Sequence, residues 1–473
     1  MQRYPSFLEK ISVSHALNIQ KQLVQKQLVQ KQLVQKQLEE NSPTSLTQAG
    51  KENYQNQKFS AAIAKWQQAR KILISRGDTL NEAMVLGNLA QAYQQLGKLT
   101  EAKSAIARSI ELLSSHQKDN QNLFAATLNI QGSLLLSEGN IEDAIAVWKR
   151  AITIYEETGD KNALTRCLLN QTQAYNRLGM HQRALNTLKE VNQSLQDQPD
   201  SPLKIVSLLH LGDTLRLTGN IGDSKKILEQ SLAIAQKLNS DANISKILLA
   251  LGNTYNFQGK NQKALKFYQQ AIDKSKSAAI QLQAQLNTLR LLVDTQKSSK
   301  ARHLVSKIRP QLQKLTPSRT SVYALVNYVQ STEHLNSSEV SNKQENVKIL
   351  AKAVQQAESI GDERAQSYAL GYLGHLYEES KQLKSAKSLT EKALLLAKTS
   401  NAPDITYRWE WQLGRLLAKQ HNFVEAIAAY DDAVTTLGSI RNDLVASNLD
   451  MQFSFRESVE PIYREFVGLL LNP

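Results

Sequence analysis

Side chains able to support catalysis or metal binding are few in this sequence and poorly grouped. The eight histidines are scattered between His15 and His421 without the close spacing that zinc ligands need. Asp431 and Asp432 are adjacent, so on a helix they point about 100° apart and cannot share a proton. No glycine-rich phosphate loop and no His-Glu-x-x-His motif occurs. The sequence therefore predicts neither an enzyme nor a protein that holds a cofactor or metal.

The single cysteine, Cys167, excludes an intrachain disulfide and fits a reducing compartment. It falls at a packing position with no histidine nearby, so we expect a buried thiol and not a nucleophile. No apolar run approaches the roughly 20 residues that span a bilayer. The first 18 residues carry Glu9 and Lys10 where an export signal would be apolar. A cytoplasmic location is the expectation.

Positive charge is concentrated in one stretch of the chain. The net charge is +14, and residues 225–319 hold 17 Lys and Arg against 4 Asp and Glu. A solvated face, an acidic protein partner, an anionic membrane surface or a nucleic acid would each account for such a field. Nucleic acid is disfavoured, because its binding sites interleave aromatic residues with the charges. Only Phe257, Phe267 and Tyr268 lie near.

The strongest pattern is an internal repeat of about 40 residues. The segment from Asn88 to Gly97 (NLAQAYQQLG) is echoed from Asn170 to Gly179 (NQTQAYNRLG). Glycines recur in this phase, 42, 40, 40 and 40 residues apart, at Gly97, Gly139, Gly179, Gly219 and Gly259. Five residues after each stands a small residue, namely Ala102, Ala144, Ala184, Ser224 and Ala264. Weaker landmarks extend the period over residues 42–440, which gives about ten units.

This order of small residue, Tyr, turn Gly and Ala resembles the tetratricopeptide repeat in its longer form. The resemblance implies an all-α fold, a right-handed α-α superhelix of about ten helix-turn-helix units. Elementary chemistry favours the same hairpin, because Gly accepts the left-handed conformation that ends a first helix. Gly212 and Gly252 would then lie where the two helices cross, and apolar residues at 3–4-residue steps would form the buried stripe.

In tetratricopeptide arrays the first helix of each unit lines the concave surface, and the resemblance assigns its inward positions to ligand binding. Most of these positions carry carboxamides, which donate and accept hydrogen bonds at once and suit a peptide main chain. The candidate peptide-binding residues are Asn88, Gln91, Gln95, Asn129, Asn170, Gln173, Arg177, His210, Asp213, Asn253 and Asn256, with Ser133 and Arg216 at further inward positions. The alternative is that a solvent-facing groove is simply polar.

Residues 1–41 follow a different rule. From Lys21 the pentapeptide KQLVQ repeats three times and closes as KQLEE from Lys36. A period of five carries successive leucines around a helix instead of along one stripe. Two interpretations stay open: an exposed, frayed helix, or a segment that binds a partner or self-associates.

Residues 441–473 leave the repeat and resemble the connector that joins tetratricopeptide repeats to a caspase-like CHAT domain in cyanobacterial proteins. The matching residues are Asn442, Asp443, Leu444, Gln452 to Pro461, Tyr463 and Arg464. The His/Cys dyad of that family belongs to the CHAT domain, which is not expected before Pro473, so no residue here inherits a catalytic role.

Three functional hypotheses follow. The leading one is a protein–protein interaction scaffold that binds a peptide or partner protein on the concave surface. The second is a regulatory or sensor fragment of a CHAT-type peptidase system, acting on a caspase-like domain supplied in trans. The third is a truncated remnant of such a protein.

Overall fold

A computed structural model describes residues 42–56, 58–114, 120–333, 335, 343–439 and 460–471. Regular structure in these residues consists of 21 α-helices, and no strand occurs among them. The helices are α1 Pro43–Gln55, α2 Phe59–Arg76, α3 Thr79–Gln95, α4 Leu99–Ser114, α5 Gln121–Glu138, α6 Ile141–Thr158, α7 Lys161–Arg177, α8 His181–Leu195, α9 Pro202–Leu217, α10 Ile221–Lys237, α11 Asp241–Phe257, α12 Asn261–Lys274, α13 Ala278–Asp294, α14 Ser298–Gln313, α15 Arg319–Glu333, α16 Lys343–Ser359, α17 Glu363–Glu379, α18 Leu383–Thr399, α19 Pro403–Lys419, α20 Phe423–Ser439 and α21 Glu460–Leu471. None of them is both long and apolar enough to cross a membrane.

The first twenty helices alternate as the first (A) and second (B) helix of ten successive hairpins, from α1/α2 to α19/α20. The prediction of an all-α fold with about ten helix-turn-helix units is confirmed. The chain divides into two compact units, residues 1–130 and 131–473. In the second unit each helix from α6 to α20 contacts the next, and successive A helices from α7 to α19 also contact one another.

The turn glycines have the conformation that the sequence predicts. Gly97, Gly179 and Gly219 have φ between +71° and +79°, the left-handed region. Around Gly97, the Gly97 N–H donates to Gln94 O at 3.0 Å and Lys98 N–H to Tyr93 O at 2.9 Å, which satisfies carbonyls at the end of α3. The A–B turns of the last two hairpins adopt the same left-handed backbone with Lys381 and His421 at the corresponding positions.

Small residues at the helix crossings are also explained by contacts. A methyl group added at Gly252 would lie 2.5 Å from the ring of Tyr268, and one added at Gly212 would lie 2.6 Å from Leu228. Real side chains do not tolerate such distances, so a larger residue would force the two helices apart. The same spacing of 16 residues recurs in Gly50 with Trp66, Gly132 with Trp148, Gly374 with Thr390 and Gly414 with Tyr430.

The two ends of the sequence are described only in part. The expectations for residues 1–41, and for residues 441–459 and 472–473 of the connector, lie outside the described residues. Residues 460–471 form α21, which packs on α20. The rings of Tyr430 and Phe466 stack at 5.7 Å, and Glu465 accepts hydrogen bonds from Tyr430 Oη at 2.9 Å and Trp411 Nε1 at 2.7 Å.

Candidate functional site

The predicted binding residues all lie on A helices. In the first unit, Asn88 and Gln91 of α3 and Asn129 of α5 are half-buried, while Gln95 is exposed. Gln95 also hydrogen-bonds Tyr54; burial raises the pKa of that phenol, and this bond opposes the rise.

In the second unit the candidates extend over four successive A helices. We define the polar row as the set of side chains contributed by α7, α9, α11 and α13, most of them half-buried. Its members are Asn170, Gln173, Asn176, Arg177, His210, Asp213, Arg216, Asn253, Asn256 and Asn287. Sequence reasoning missed Asn176 and Asn287, although Asn176 stands four residues after a helix-crossing position, as Arg216 and Asn256 do in the next two hairpins.

Asn176 couples α7 to its neighbours. Its Nδ2 donates to Thr214 Oγ1 of α9 at 2.7 Å, and its Oδ1 lies 3.2 Å from Nδ1 of His181 on α8. Burial, reinforced by the charge of Arg216, lowers the pKa of His181 to about 4. The imidazole is therefore neutral at pH 7. The Asn176 amide links two successive hairpins through hydrogen bonds within the protein.

Asp213 and Arg216 form the charged centre of the polar row. Asp213 Oδ1 and Arg216 Nη2 are 3.6 Å apart, and their side chains are only 22% and 11% exposed. Burial raises the pKa of Asp213, and the neighbouring guanidinium opposes that rise. Since 3.6 Å exceeds hydrogen-bond distance, the pair is held by charge more than by a directed bond.

Asn253 is fixed by two donors. Its Oδ1 accepts from Tyr268 Oη at 3.0 Å and from Asn287 Nδ2 of the next A helix at 2.8 Å. Both bonds end on the carbonyl oxygen, so the orientation of the amide group is set before any ligand arrives. Arg177 is similarly engaged, because its Nη1 donates to Leu136 O at 3.1 Å. These two residues have structural roles that the sequence did not indicate.

His210 faces the same side as Asp213. Burial, reinforced by the charge of Lys246, lowers its pKa to about 4, and a hydrogen bond to the Leu169 carbonyl opposes that change. A neutral imidazole at pH 7 is a hydrogen-bonding group and not a cation. By contrast, Gln173 is half-buried and Asn256 is exposed.

The A helices of the last two hairpins, α17 and α19, pair their charged side chains with each other. Glu378 of α17 accepts from Arg415 at 3.0 and 3.2 Å and from Lys419 at 2.9 Å. Burial opposes its ionisation, but hydrogen bonds from His375, Arg415 and Lys419 hold its pKa well below the usual range. Carboxamides thus predominate in the polar row, whereas a buried carboxylate and its two cations join α17 to α19. The described residues contain no group of three His, Cys, Asp or Glu able to hold a metal.

Comparison with family models identifies the repeat. Tetratricopeptide repeat models match residues 85–113, 123–192 and 204–277. The matched segments run from α3 to α12 and include every predicted binding residue. No curated protein matches the chain.

Solved structures resemble the fold at low sequence identity. A Rap protein complexed with Competence and Sporulation Factor is 13% identical with a TM-score of 0.53; the match covers 76% of this chain and 98% of that one. A tetratricopeptide repeat protein from Parabacteroides merdae is 16% identical with a TM-score of 0.40, over 65% of this chain and 99% of the other. The family models therefore identify tetratricopeptide repeats within residues 85–277, and the similarity to the Rap protein shows the same all-α fold.

Proposed function

We propose that this chain is an interaction scaffold that binds a peptide, or an extended segment of a partner protein, on the A helices of its hairpins. The residues assigned to binding are Asn88, Gln91, Gln95, Asn129, Asn170, Gln173, Arg177, His210, Asp213, Asn253 and Asn256. The observation that carries the proposal is the polar row, which runs without a break across four hairpins in the second unit.

Half-buried amides suit this task for two reasons. Hydrogen bonds made in a partly desolvated environment are stronger than those made in open water. In addition, a side chain that is already held, as Asn253 is by Tyr268 and Asn287, loses little conformational entropy when a ligand binds. The similar Rap protein was solved in complex with Competence and Sporulation Factor, so a fold of this kind accommodates a bound partner.

The test compares amides on the two sides of the hairpins. Gln173→Ala combined with Asn256→Ala removes two polar-row amides that make no described hydrogen bond within the chain. Gln230→Ala combined with Gln270→Ala removes two exposed amides from the B helices α10 and α12. Peptides selected from an array would be titrated by fluorescence anisotropy. We expect the first pair to weaken binding about 5- to 150-fold, since each lost hydrogen bond costs about 0.5–1.5 kcal/mol.

The B-helix pair should stay within about twofold of the parent. Circular dichroism confirms that both variants keep their helices. Equal affinity of the two double variants for every selected peptide would refute binding by the polar row.

The basic stretch supplies a second contact surface. Lys226, Lys260, Lys263, Lys266 and Lys274 are exposed in the second unit. We propose that this basic surface favours a partner with acidic residues. The positive potential of the clustered lysines attracts negative charges within about 8–10 Å, the distance over which salt screens exposed charges.

The alternative, a regulatory fragment that acts on a caspase-like domain in trans, draws on α21. This helix buries Ile462 against α20 and exposes Tyr463, Val467 and Leu471. Such an apolar face suits a folded partner more than a peptide. Titration with a purified caspase-like CHAT domain would decide: binding that Val467→Asp and Leu471→Asp abolish supports this function, and absence of binding removes it.

A further inference from the structure

A cavity of about 400 Å³ in the second unit is lined mostly by two B helices, α14 and α16, and by no residue of the polar row. The A helix α15 contributes Leu325 to it. Of the successive helix pairs from α6 to α20, α14 and α15 contact each other least, which leaves space where these two hairpins meet. The volume falls within the range of small-molecule sites, about 300–1,000 Å³, so it suits a small ligand better than a segment of a protein.

The most deeply buried residues that line the cavity are apolar. Leu312 of α14 and Leu325 of α15 are 3% and 1% exposed. Ile349 of α16 is half-buried and packs against the same hydrophobic core as the two leucines. An apolar group bound here would therefore extend an existing core and be removed from water.

The charged residues that line the cavity are mainly basic. Three cations, Arg309, Lys348 and Lys352, stand against one carboxylate, that of Glu345. The first turn of α16 also lines the cavity, and the positive end of a helix dipole favours an anion. In addition, α14 contains four Lys and Arg residues and no Asp or Glu. The potential around the cavity is therefore positive.

Two contacts between α14 and α16 fix the walls of the cavity relative to each other. Arg309 forms an ion pair with Glu345. Lys352 donates to Leu312 O and Gln313 O, each at 3.0 Å, and its charge offsets the negative dipole end of α14. The cavity is thus preformed, and a ligand would lose little affinity to ordering of the protein.

Two donors remain for an anion after these contacts are made. Lys348 is exposed and forms no ion pair with the described residues. Nε of Arg309 is buried and has no acceptor among the described residues. A buried donor left in this state is unfavourable, so an acceptor placed beside it would stabilise the site.

We propose that this cavity binds a small amphiphilic anion of the class of a medium-chain fatty acid. Its alkyl chain covers the apolar residues, Leu312, Leu325 and Ile349. Its carboxylate lies beside Lys348 and supplies the acceptor that Nε of Arg309 lacks. The site is separate from the polar row, so it does not depend on the proposed function.

Decanoate is the probe, and hexanoate and decyltrimethylammonium are the comparisons. Each is titrated into the full chain by isothermal calorimetry at about 150 mM salt, which screens nonspecific attraction by exposed charges. We expect decanoate to bind at least about tenfold more tightly than hexanoate, because its longer chain removes more methylene groups from water. Decyltrimethylammonium carries a positive head group and should bind at least about tenfold more weakly than decanoate. Equal affinity of decanoate and either comparison would overturn the proposal.

Lys348→Glu reverses the charge at the head-group position, and Lys307→Glu is its matched control. Both lysines are exposed and both substitutions change the net charge equally, but Lys307 of α14 does not line the cavity. We expect Lys348→Glu to weaken decanoate binding at least about tenfold and Lys307→Glu to change it by less than about twofold. Equal weakening in the two variants would show that the basic stretch alone attracts decanoate, and would overturn the assigned site.

Ile349→Trp tests the apolar part of the site without changing any charge. Because Ile349 is half-buried, a larger side chain can extend into the cavity from its edge. We expect decanoate binding to fall at least about tenfold, with helix content unchanged by circular dichroism. Undiminished decanoate affinity in the folded variant would place the ligand elsewhere, such as on the exposed apolar face of α21, and would contradict the proposal.

Discussion

At the scale of single residues, burial sets the charge state of His181, the histidine that contacts the polar row from α8. His181 is only 3% exposed, and it contacts Asn176, which in turn holds Thr214 of the next A helix. A protonated imidazole there would place a charge beside Arg216 in a desolvated site. The neutral form is therefore a structural requirement of the α7–α9 junction.

This requirement makes stability depend on pH. The pKa of His181 falls from 6.5 to about 4 on folding, so the unfolded chain binds this proton more tightly. The stabilisation that depends on the neutral imidazole is fully present above about pH 6.5 and is lost as the pH falls towards 4. This loss lowers the free energy of unfolding by at most about 3 kcal/mol. We expect urea midpoints to drop between pH 7 and 5, and His181→Gln to reduce that drop.

His303→Gln is the control, since His303 is exposed on α14. It should leave the pH dependence of the midpoint unchanged. A drop of the same size in the parent and in His181→Gln would show that this histidine does not govern it.

At the scale of helices, Glu378 joins α17 to α19 with a buried charge. Its side chain is 1% exposed, and Arg415 and Lys419 both bind it. Removing the charge of Glu378 leaves the largely buried Arg415 without its partner, which costs about 3–5 kcal/mol. We therefore expect Glu378→Gln to lower the free energy of unfolding by that amount in urea melts.

Glu379→Gln is the adjacent control, because Glu379 is exposed on the same helix. It should change the free energy of unfolding by less than about 0.5 kcal/mol. If the two substitutions lower the free energy of unfolding equally, the ion pairs of Glu378 do not stabilise the junction of α17 with α19.

At the scale of the whole molecule, charge is divided unevenly along the chain. Of the net +14, residues 225–319 supply +13. If this surface attracts acidic partners, association of a poly-glutamate probe should weaken several-fold when salt rises from about 50 to about 200 mM. Lys226→Glu with Lys266→Glu should reduce binding at low salt, as measured by anisotropy.

The matched charge swap is Lys51→Glu with Lys71→Glu, on exposed positions of α1 and α2. It makes the same change in net charge outside the basic surface. Equal loss of poly-glutamate binding in both double variants would indicate that net charge alone is sensed.

Most of the fold could be predicted from the sequence, because its determinants are local. The glycine period marks the turns, and the small residues 16 positions before Tyr268 or Trp148 mark the crossings. The close approach of Gly139, in the α5–α6 turn, to Asp362, in the α16–α17 turn, could not be predicted, since it depends on small rotations accumulated over six hairpins. The sequence predicts candidate residues by their positions in the repeat. It does not predict that Asn253 Oδ1 accepts two hydrogen bonds, because one of the donors, Asn287, lies one hairpin further on.

The turns at Lys381 and His421 show that the hairpin forms without the turn glycine found in the earlier hairpins. Both hold the left-handed backbone at φ of +59° and +62° without glycine. Packing of the flanking helices must therefore offset a local strain of about 1–2 kcal/mol per turn. A hairpin of this design therefore does not require glycine at its turn. Family models match this chain no further than residue 277, whereas hairpins of the same design continue to Ser439.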